Sequence, residues 1–483
     1  MNNSKNQMFP NLSQWALALL CLVYTFNFIT MLAATIEGDA QFDKFSILTF
    51  ISLGIFLVTI FLGTRNKTLY ITLLPFVMIA FPSAVNDLSI GPYLGNENEI
   101  GSALAPIFTH IDLYLLLGFI AYGSQRIAQT NKSKLLLIIL VILSIYFFAT
   151  IVLTANIKDA ALFAAGNYQI RFILWFIIFS YKLPEIFHAR SISIGLAISI
   201  LFLLPESIAN TVLLDADRLT SGTLGNNVFG NIVAAITVYF IYLLQSHNKG
   251  GLYKHLITST IVAGILIVLL SGTKMAIISL AAAYLLPKTL KLNPIQLITN
   301  TITGSIGVTL IILIASKFER YSTIPTIFSA TINGDLALNS ETSSIFTRFI
   351  INSASWEMLL HNPLIGIGVG RWNHYKAEYG VPFDLLLDPH NGYMSFLSQY
   401  GWVAGSSLIL FYLAIPSLGF IKLTIRNKLT PETLLLVIPF ALIFSEFTNA
   451  NSLKIQVSAL LSFVSVSLVH YKYRERLRTQ GEN

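Results

Sequence analysis

Long apolar stretches, separated by short polar segments, recur along almost the whole chain of 483 residues. A transmembrane helix needs about 20 predominantly apolar residues, and fourteen stretches approach or reach that length. They are 13–36, 45–62, 69–86, 106–122, 135–154, 168–182, 191–205, 228–246, 256–270, 274–287, 295–316, 393–420, 433–447 and 455–470. The weak stretches are 106–122, which contains His110 and Asp112, 191–205 and 433–447, so twelve is an alternative count. Either count is even, which predicts that both termini lie on one side of the membrane.

Composition supports this pattern, because 54% of the residues are hydrophobic, 11% are charged and the mean hydropathy is +0.70. Soluble domains contain about 25% charged residues, so we predict an all-α, polytopic bundle of 12–14 transmembrane helices. The single cysteine, Cys21, excludes an intramolecular disulfide and a cysteine metal site. The sequence pI is about 9.2, but the basic residues lie between apolar runs and not on one soluble surface. Nucleic acid is therefore not an expected partner.

The distribution of lysine and arginine predicts which side each loop occupies, because cytoplasmic loops are enriched in both residues. With the N-terminus inside, the inner segments contain 19 of the 30 basic residues and only four acidic residues, Glu185, Glu432, Glu475 and Glu482. Both termini are therefore predicted to be cytoplasmic. One long segment, 317–392, then forms a large extracytoplasmic loop inside a single domain that covers residues 1–483.

This loop contains a predicted helix and a glycine-rich turn. The segment 348–363 has apolar residues at helical spacing and ends in Asn362-Pro363, which predicts a helix stop. The following stretch, 366–371 (GIGVGR), lacks the third glycine of a dinucleotide fingerprint, because Arg371 stands at that position. We therefore expect a turn that allows a ligand or a helix to approach the backbone closely.

Four stretches together resemble the O-antigen ligase and O-antigen polymerase family, bacterial integral-membrane glycosyltransferases of surface-polysaccharide assembly. They are RLTSGTLGNNVFGNIVA (218–234), SGTKMA (271–276), RFIINSASWEMLLHNPLIGIGVGRW (348–372) and DPHNGYMSFLSQYGWVAG (388–405). They occur in the family's order, and the charge distribution places them all on the outer side. One departure is Lys274, because the family usually carries arginine in that segment.

The resemblance implies transfer of a glycan from an undecaprenyl-diphosphate donor to a sugar hydroxyl at the periplasmic face of the bacterial inner membrane. The acceptor would be lipid A core for a ligase, a second lipid-linked repeat for a polymerase, or a protein for an oligosaccharyltransferase. The sequence leaves these three open. A flippase for lipid-linked sugars is the alternative of another class, although the chain lacks the internal repeat expected of many transporters.

Residue types in these segments fit that chemistry. Negative charge grows on the departing diphosphate, and Arg218, Lys274 and Arg348 are the predicted donor-binding cations. The acceptor hydroxyl must lose a proton, and His390 is the predicted catalytic base, since imidazole has an unperturbed pKa near about 6.5. Further candidates are Arg171 and Arg371 as cations, and Asn391, which is expected to cap a helix or to orient His390.

No cofactor and no metal are expected, because cations of the chain take the place of a metal ion. Two alternatives would require one. Asp215-Ala-Asp217 has the Asp-x-Asp form of metal-dependent glycosyltransferases. His374 and Glu378 share a helical face near His390, although zinc sites usually have a stronger histidine pattern.

Overall fold

The computed structural model describes residues 58–80, 109–122, 160–213, 226–246, 251–289, 340–368, 372–381, 389–450 and 455–479. Its regular elements there are all helical, with no β-strand among the described residues, so the all-α prediction is confirmed for them. The longer helices are α1 (Lys67–Ile79), α2 (His110–Tyr122), α3 (Ala160–Lys182), α4 (Ala189–Leu213), α5 (Asn226–Ser246), α6 (Leu252–Leu270), α7 (Lys274–Thr289), α8 (Ser340–His361), α9 (Gly392–Ile409), α10 (Ile415–Ile425), α11 (Val437–Glu446) and α12 (Ile455–Thr479).

By length and composition, three segments of the described part of the chain could cross a membrane: Asn227–Ser246, Leu252–Leu270 and Gly392–Ile425. The first two correspond to α5 and α6, where the apolar runs 228–246 and 256–270 predict helices. The total number of spans, the side of the termini and the extracytoplasmic position of 317–392 stay predictions.

Helix α5 lies at the centre of the bundle, where it packs against α6, α7 and α11. Its close contact with α6 depends on a small residue, because a Cβ added at Gly264 would collide with the Thr237 side chain. The outer face of α6 exposes apolar side chains such as Val262 and Leu266. We expect lipid to cover this face, since a helix that is apolar on both its packed and exposed sides suits a bilayer.

Contacts along α5 define two ends of the bundle. At one end, a Cβ added at Gly230 would lie 2.7 Å from the hydroxyl oxygens of Ser271 and Thr273, in the turn between α6 and α7. At the other end, the Tyr242 hydroxyl donates to the carbonyl of Tyr284 in α7 (3.0 Å). We call the first the turn end. It contains the beginnings of α5 and α7.

The apolar run 393–420 is predicted as a single span, but the structure divides it at Gly401. This residue has φ 75° and ψ 178°, which no helix accommodates. In one straight helix Phe396 and Gly405 would lie about 13 Å apart. Instead, a Cβ added at Gly405 would lie 2.6 Å from the Phe396 carbonyl oxygen. The chain therefore turns sharply, and residues 392–400 pack against 402–409.

Candidate active site

The glycine-rich turn after α8 packs against the break in α9. A helix break leaves backbone groups without intrahelical partners. Three backbone hydrogen bonds supply partners here: the N–H of Ile367 donates to the Ser398 carbonyl (2.9 Å), that of Gly368 to the Gln399 carbonyl (3.1 Å), and that of Trp402 to the Pro363 carbonyl (2.7 Å). The turn predicted from the sequence thus forms backbone hydrogen bonds with the helix break.

Two glycines allow this close approach. Gly366 and Gly401 have φ of +74° and +75°, a region that side-chain-bearing residues rarely adopt. A Cβ on Gly366 would lie 2.6 Å from the Gly401 nitrogen, and one on Gly401 would collide with the Leu364 carbonyl. Both the backbone conformation and the lack of space therefore require glycine.

His390 and Asn391 directly precede residues 392–400, the first part of α9. Asn391 is the N-cap residue, with φ −138° and ψ 112°, and its Oδ1 accepts the N–H of Met394 (3.1 Å). The Ser395 hydroxyl donates to the Pro389 carbonyl (3.3 Å), which holds the preceding segment. The capping role predicted for Asn391 is confirmed. His390 is half-buried directly before this cap, and its role as a base stays a prediction.

Lys274 is the first residue of α7, directly after the turn formed by Ser271, Gly272 and Thr273. The apolar runs 256–270 and 274–287 are thus two arms of a helical hairpin, and Lys274 lies at its turn. The side chain is half-buried. Its position puts a positive charge at the turn end of the bundle.

The beginning of α9 lies at the same turn end. Phe440 in α11 contacts Phe420, which contacts Tyr242 at the opposite end of α5. From there α11 runs along α5 and α7 and ends at Glu446. Gly392 lies against the Glu446 carboxylate. The α6–α7 turn and the segment that carries His390 therefore share one end of the bundle.

Arg348 lies on α8, which packs against α9. Its side chain is half-buried, forms no ion pair with any side chain in the described ranges, and burial lowers the pKa of its guanidinium. An arginine keeps its charge despite such a shift. A partly dehydrated cation of this kind is suited to an anionic ligand.

Helix α8 ends at His361, as Asn362-Pro363 predicts, and one of its buried side chains is polar. Ser355 is fully buried and accepts the indole N–H of Trp372 (2.9 Å). Phe349 is 70% exposed, and Trp356 is exposed beside Trp402, with 5.9 Å between ring centroids. The buried side of α8 is otherwise apolar, with Ile351, Ala354 and Met358, and its exposed side combines these aromatic rings with polar residues such as Glu357.

Arg171 occupies a different cluster. Its Nε lies 2.7 Å from Oδ1 of Asp112, a fully buried residue of α2. The other carboxylate oxygen accepts the backbone N–H and the hydroxyl of Thr109, at 2.9 and 2.7 Å, and the Trp175 indole donates to Oδ1 (3.1 Å). The structure thus assigns Arg171 a partner within the bundle, and a ligand role for it stays a prediction.

Residues 259–411 match the model of the family described as O-Antigen ligase. This segment, about a third of the chain, is similar to that family. The resemblance in the sequence is confirmed, and it supports an enzyme of O-antigen ligase or polymerase type that uses lipid-linked glycans. No curated protein matches the chain.

The segment 259–411 contains four of the predicted site residues that the structure describes: Lys274, Arg348, His390 and Asn391. Arg171 lies before it. Arg218 and Arg371 lie outside the described residues, so the structure does not test them. The same holds for Asp215 and Asp217, and the side chain of His374 is also outside the description.

Sequence reasoning did not single out Glu446, although it lies in the apolar run 433–447. Its carboxylate is fully buried at the end of α11. Ionisable residues inside apolar spans are costly and commonly functional. That rule could have identified Glu446 from sequence, whereas its contact with Gly392 required the structure.

Proposed function

We propose that this protein transfers a glycan from an undecaprenyl-diphosphate donor to a sugar hydroxyl of lipid A core at the periplasmic face of the inner membrane. The observation that carries the proposal is the shared end of the bundle. There, α11 leads from the far end of α5 towards the turn of Lys274 and ends beside the segment of His390, and both Lys274 and His390 belong to the residues that match the model of the O-antigen ligase family.

Negative charge develops on the diphosphate as it leaves the anomeric carbon. Lys274 and Arg348, with Arg218 as a further predicted cation, stabilise this charge from fixed positions. Preformed charges in a poorly hydrated site need little reorganisation during the reaction, and one such interaction commonly contributes about 3–4 kcal/mol. Because these cations belong to the chain, transfer needs no metal ion.

His390 removes the proton from the acceptor hydroxyl as its oxygen attacks. The cap at Asn391 fixes the backbone beside it, and the bond from Ser395 to Pro389 fixes the residue before it. A rigid segment suits a general base, which must stay within about 3 Å of the proton it accepts.

The test supplies purified protein with one lipid-linked donor and, separately, lipid A core, a second lipid-linked repeat and an acceptor protein. Transfer to lipid A core in EDTA is the expected result. Transfer only to the lipid-linked repeat would identify a polymerase, and transfer only to protein an oligosaccharyltransferase. Movement of the donor across vesicles without any transfer would identify a flippase.

His390→Ala should lower kcat by about 10²–10⁴-fold, the usual contribution of a general base, while binding of the lipid-linked donor persists. The matched control is His255→Ala, because His255 is exposed near the beginning of α6, at the opposite end of the bundle. Full activity of His390→Ala at saturating acceptor would contradict the mechanism.

A further inference from the structure

Glu446 is a buried carboxylate to which the proposed chemistry assigns no role. It is the last residue of α11 and has no exposed surface. Removing a carboxylate from water costs several kcal/mol unless charges or hydrogen bonds compensate. Retention of this acid inside an apolar helix therefore indicates a purpose in its surroundings.

The nearest part of α9 is its first turn. A Cβ added at Gly392 would collide with Oε2 of Glu446, so the carboxylate lies directly against the glycine backbone. A second contact joins the same two helices, because the Tyr393 hydroxyl donates to the Ile443 carbonyl (2.9 Å). Within α9, Tyr393 is also a titratable neighbour of Glu446. These contacts fix the end of α11 to the beginning of α9.

His390 lies two residues before Gly392. Consecutive Cα atoms are 3.8 Å apart, so the Glu446 carboxylate lies within about 10 Å of the His390 backbone. The Asn391 side chain accepts the N–H of Met394. The Glu446 carboxylate lies beside Gly392, the first residue of the same helix. A negative charge is favourable at this position, because the helix dipole is positive there.

We propose that Glu446 is a positioning residue for His390, an inference that rests on the proposed function. During transfer the acceptor O–H bond breaks and its proton moves to the His390 imidazole. The acceptor oxygen forms a bond to the anomeric carbon, and the bond from that carbon to the diphosphate oxygen breaks. The buried carboxylate holds the histidine segment in place and stabilises the imidazolium that forms.

The kinetic test compares Glu446→Gln, which keeps the shape and removes the charge, with Glu446→Asp, which keeps the charge. Glu446→Gln should lower kcat by about 10²-fold, within the range of general-base effects, and leave the KM for the donor unchanged. Glu446→Asp should restore part of the loss. Glu432→Gln is the control, because Glu432 is exposed before α11.

A double variant separates positioning from an independent role. If Glu446 acts through His390, then His390→Ala combined with Glu446→Gln should be no slower than His390→Ala alone, since residues that act as a unit are not additive. Losses that multiply, or wild-type kcat in Glu446→Gln, would overturn the inference.

A measurement without substrate distinguishes this inference from the proposed function. Diethyl pyrocarbonate reacts with imidazole in its neutral form and not with imidazolium. Peptide mass spectrometry measures the modified fraction of His390 at each pH. Loss of a nearby negative charge disfavours imidazolium. The pH at which half of His390 is modified should therefore be lower in Glu446→Gln and unchanged in Glu432→Gln. An unmoved midpoint would overturn the role of Glu446 even if transfer occurs. A shifted midpoint without transfer to any acceptor would overturn the proposed function alone.

Discussion

Two charged regions lie within apolar helices of this protein, and they are built differently. In the first, which we call the α2–α3 cluster, Asp112 forms an ion pair with Arg171 and accepts hydrogen bonds from Thr109 and Trp175. Both of its carboxylate oxygens therefore have partners within the bundle. In the second, the turn end, the Glu446 carboxylate lies against Gly392, and Lys274 and His390 are half-buried.

The difference shows that charge inside an apolar run is not by itself a sign of chemistry. The α2–α3 cluster neutralises its own charges, so its groups are occupied in stabilising the helices. At the turn end the structure combines a buried acid, a cap and a histidine on a segment fixed by two helices. A substitution in the first region should change stability, whereas one in the second should change activity.

Removing the acid of the α2–α3 cluster should give the largest change in stability. Asp112→Ala leaves the Arg171 guanidinium without its carboxylate, and breaking a buried pair costs about 3–5 kcal/mol. Thermal unfolding in detergent measures the loss, and the folded fraction should keep its activity per molecule.

Glu185→Ala is the matched control for that change. It breaks the exposed pair of Lys67 and Glu185 (3.1 Å), and exposed pairs contribute about 0–1 kcal/mol. If folded Asp112→Ala protein no longer transfers glycan, the α2–α3 cluster belongs to the active site and the comparison fails.

Gly401→Ala should damage the site through the backbone. Gly401 has φ 75° and ψ 178°, a conformation that essentially only glycine adopts and that costs another residue about 1–3 kcal/mol, and the added Cβ would also collide with the Leu364 carbonyl. We expect loss of activity together with reduced stability. Gly380→Ala is the control for a positive φ without a collision, because Gly380 has φ +78° and ψ 11° and nothing lies within 4 Å of its added Cβ. Equal activity of the two variants would show that the break in α9 is not needed.

Much of this fold is predictable from apolar patterning, since the runs 228–246 and 274–287 correspond to α5 and α7, and Asn362-Pro363 marks the end of α8. The break at Gly401 is not, because hydropathy averages over about 20 residues and one backbone angle decides the turn. The contact of Glu446 with Gly392 joins residues 54 positions apart. Local sequence carries no signal for such a pairing.

The two asparagine caps allow a direct comparison of the regions. Asn66 and Asn391 have nearly identical backbone angles, and each side chain accepts an N–H at 3.1 Å. Replacing either by alanine should cost about 1 kcal/mol of stability. Only Asn391→Ala should also lower kcat, by a few-fold, because it loosens the segment of His390.

Asn391→Ser should recover the activity, because serine also caps helices well. Identical kcat values for Asn66→Ala and Asn391→Ala would show that His390 does not depend on the cap. A loss in folded Asn391→Ala as large as that of His390→Ala would instead indicate that Asn391 contacts substrate.

The smallest effect is expected for Lys274→Arg. Lys274 occupies the first residue of α7, where the helix dipole disfavours a cation by about 0.3–1 kcal/mol, so its own helix gains nothing from the charge. If Lys274 binds the donor diphosphate as proposed, arginine should preserve that role. Lys274→Ala should then raise the KM for the donor, whereas Lys288→Ala, at the far end of the same helix, should leave that KM unchanged. An inactive Lys274→Arg variant would show that the site requires the compact ammonium group and not merely a positive charge.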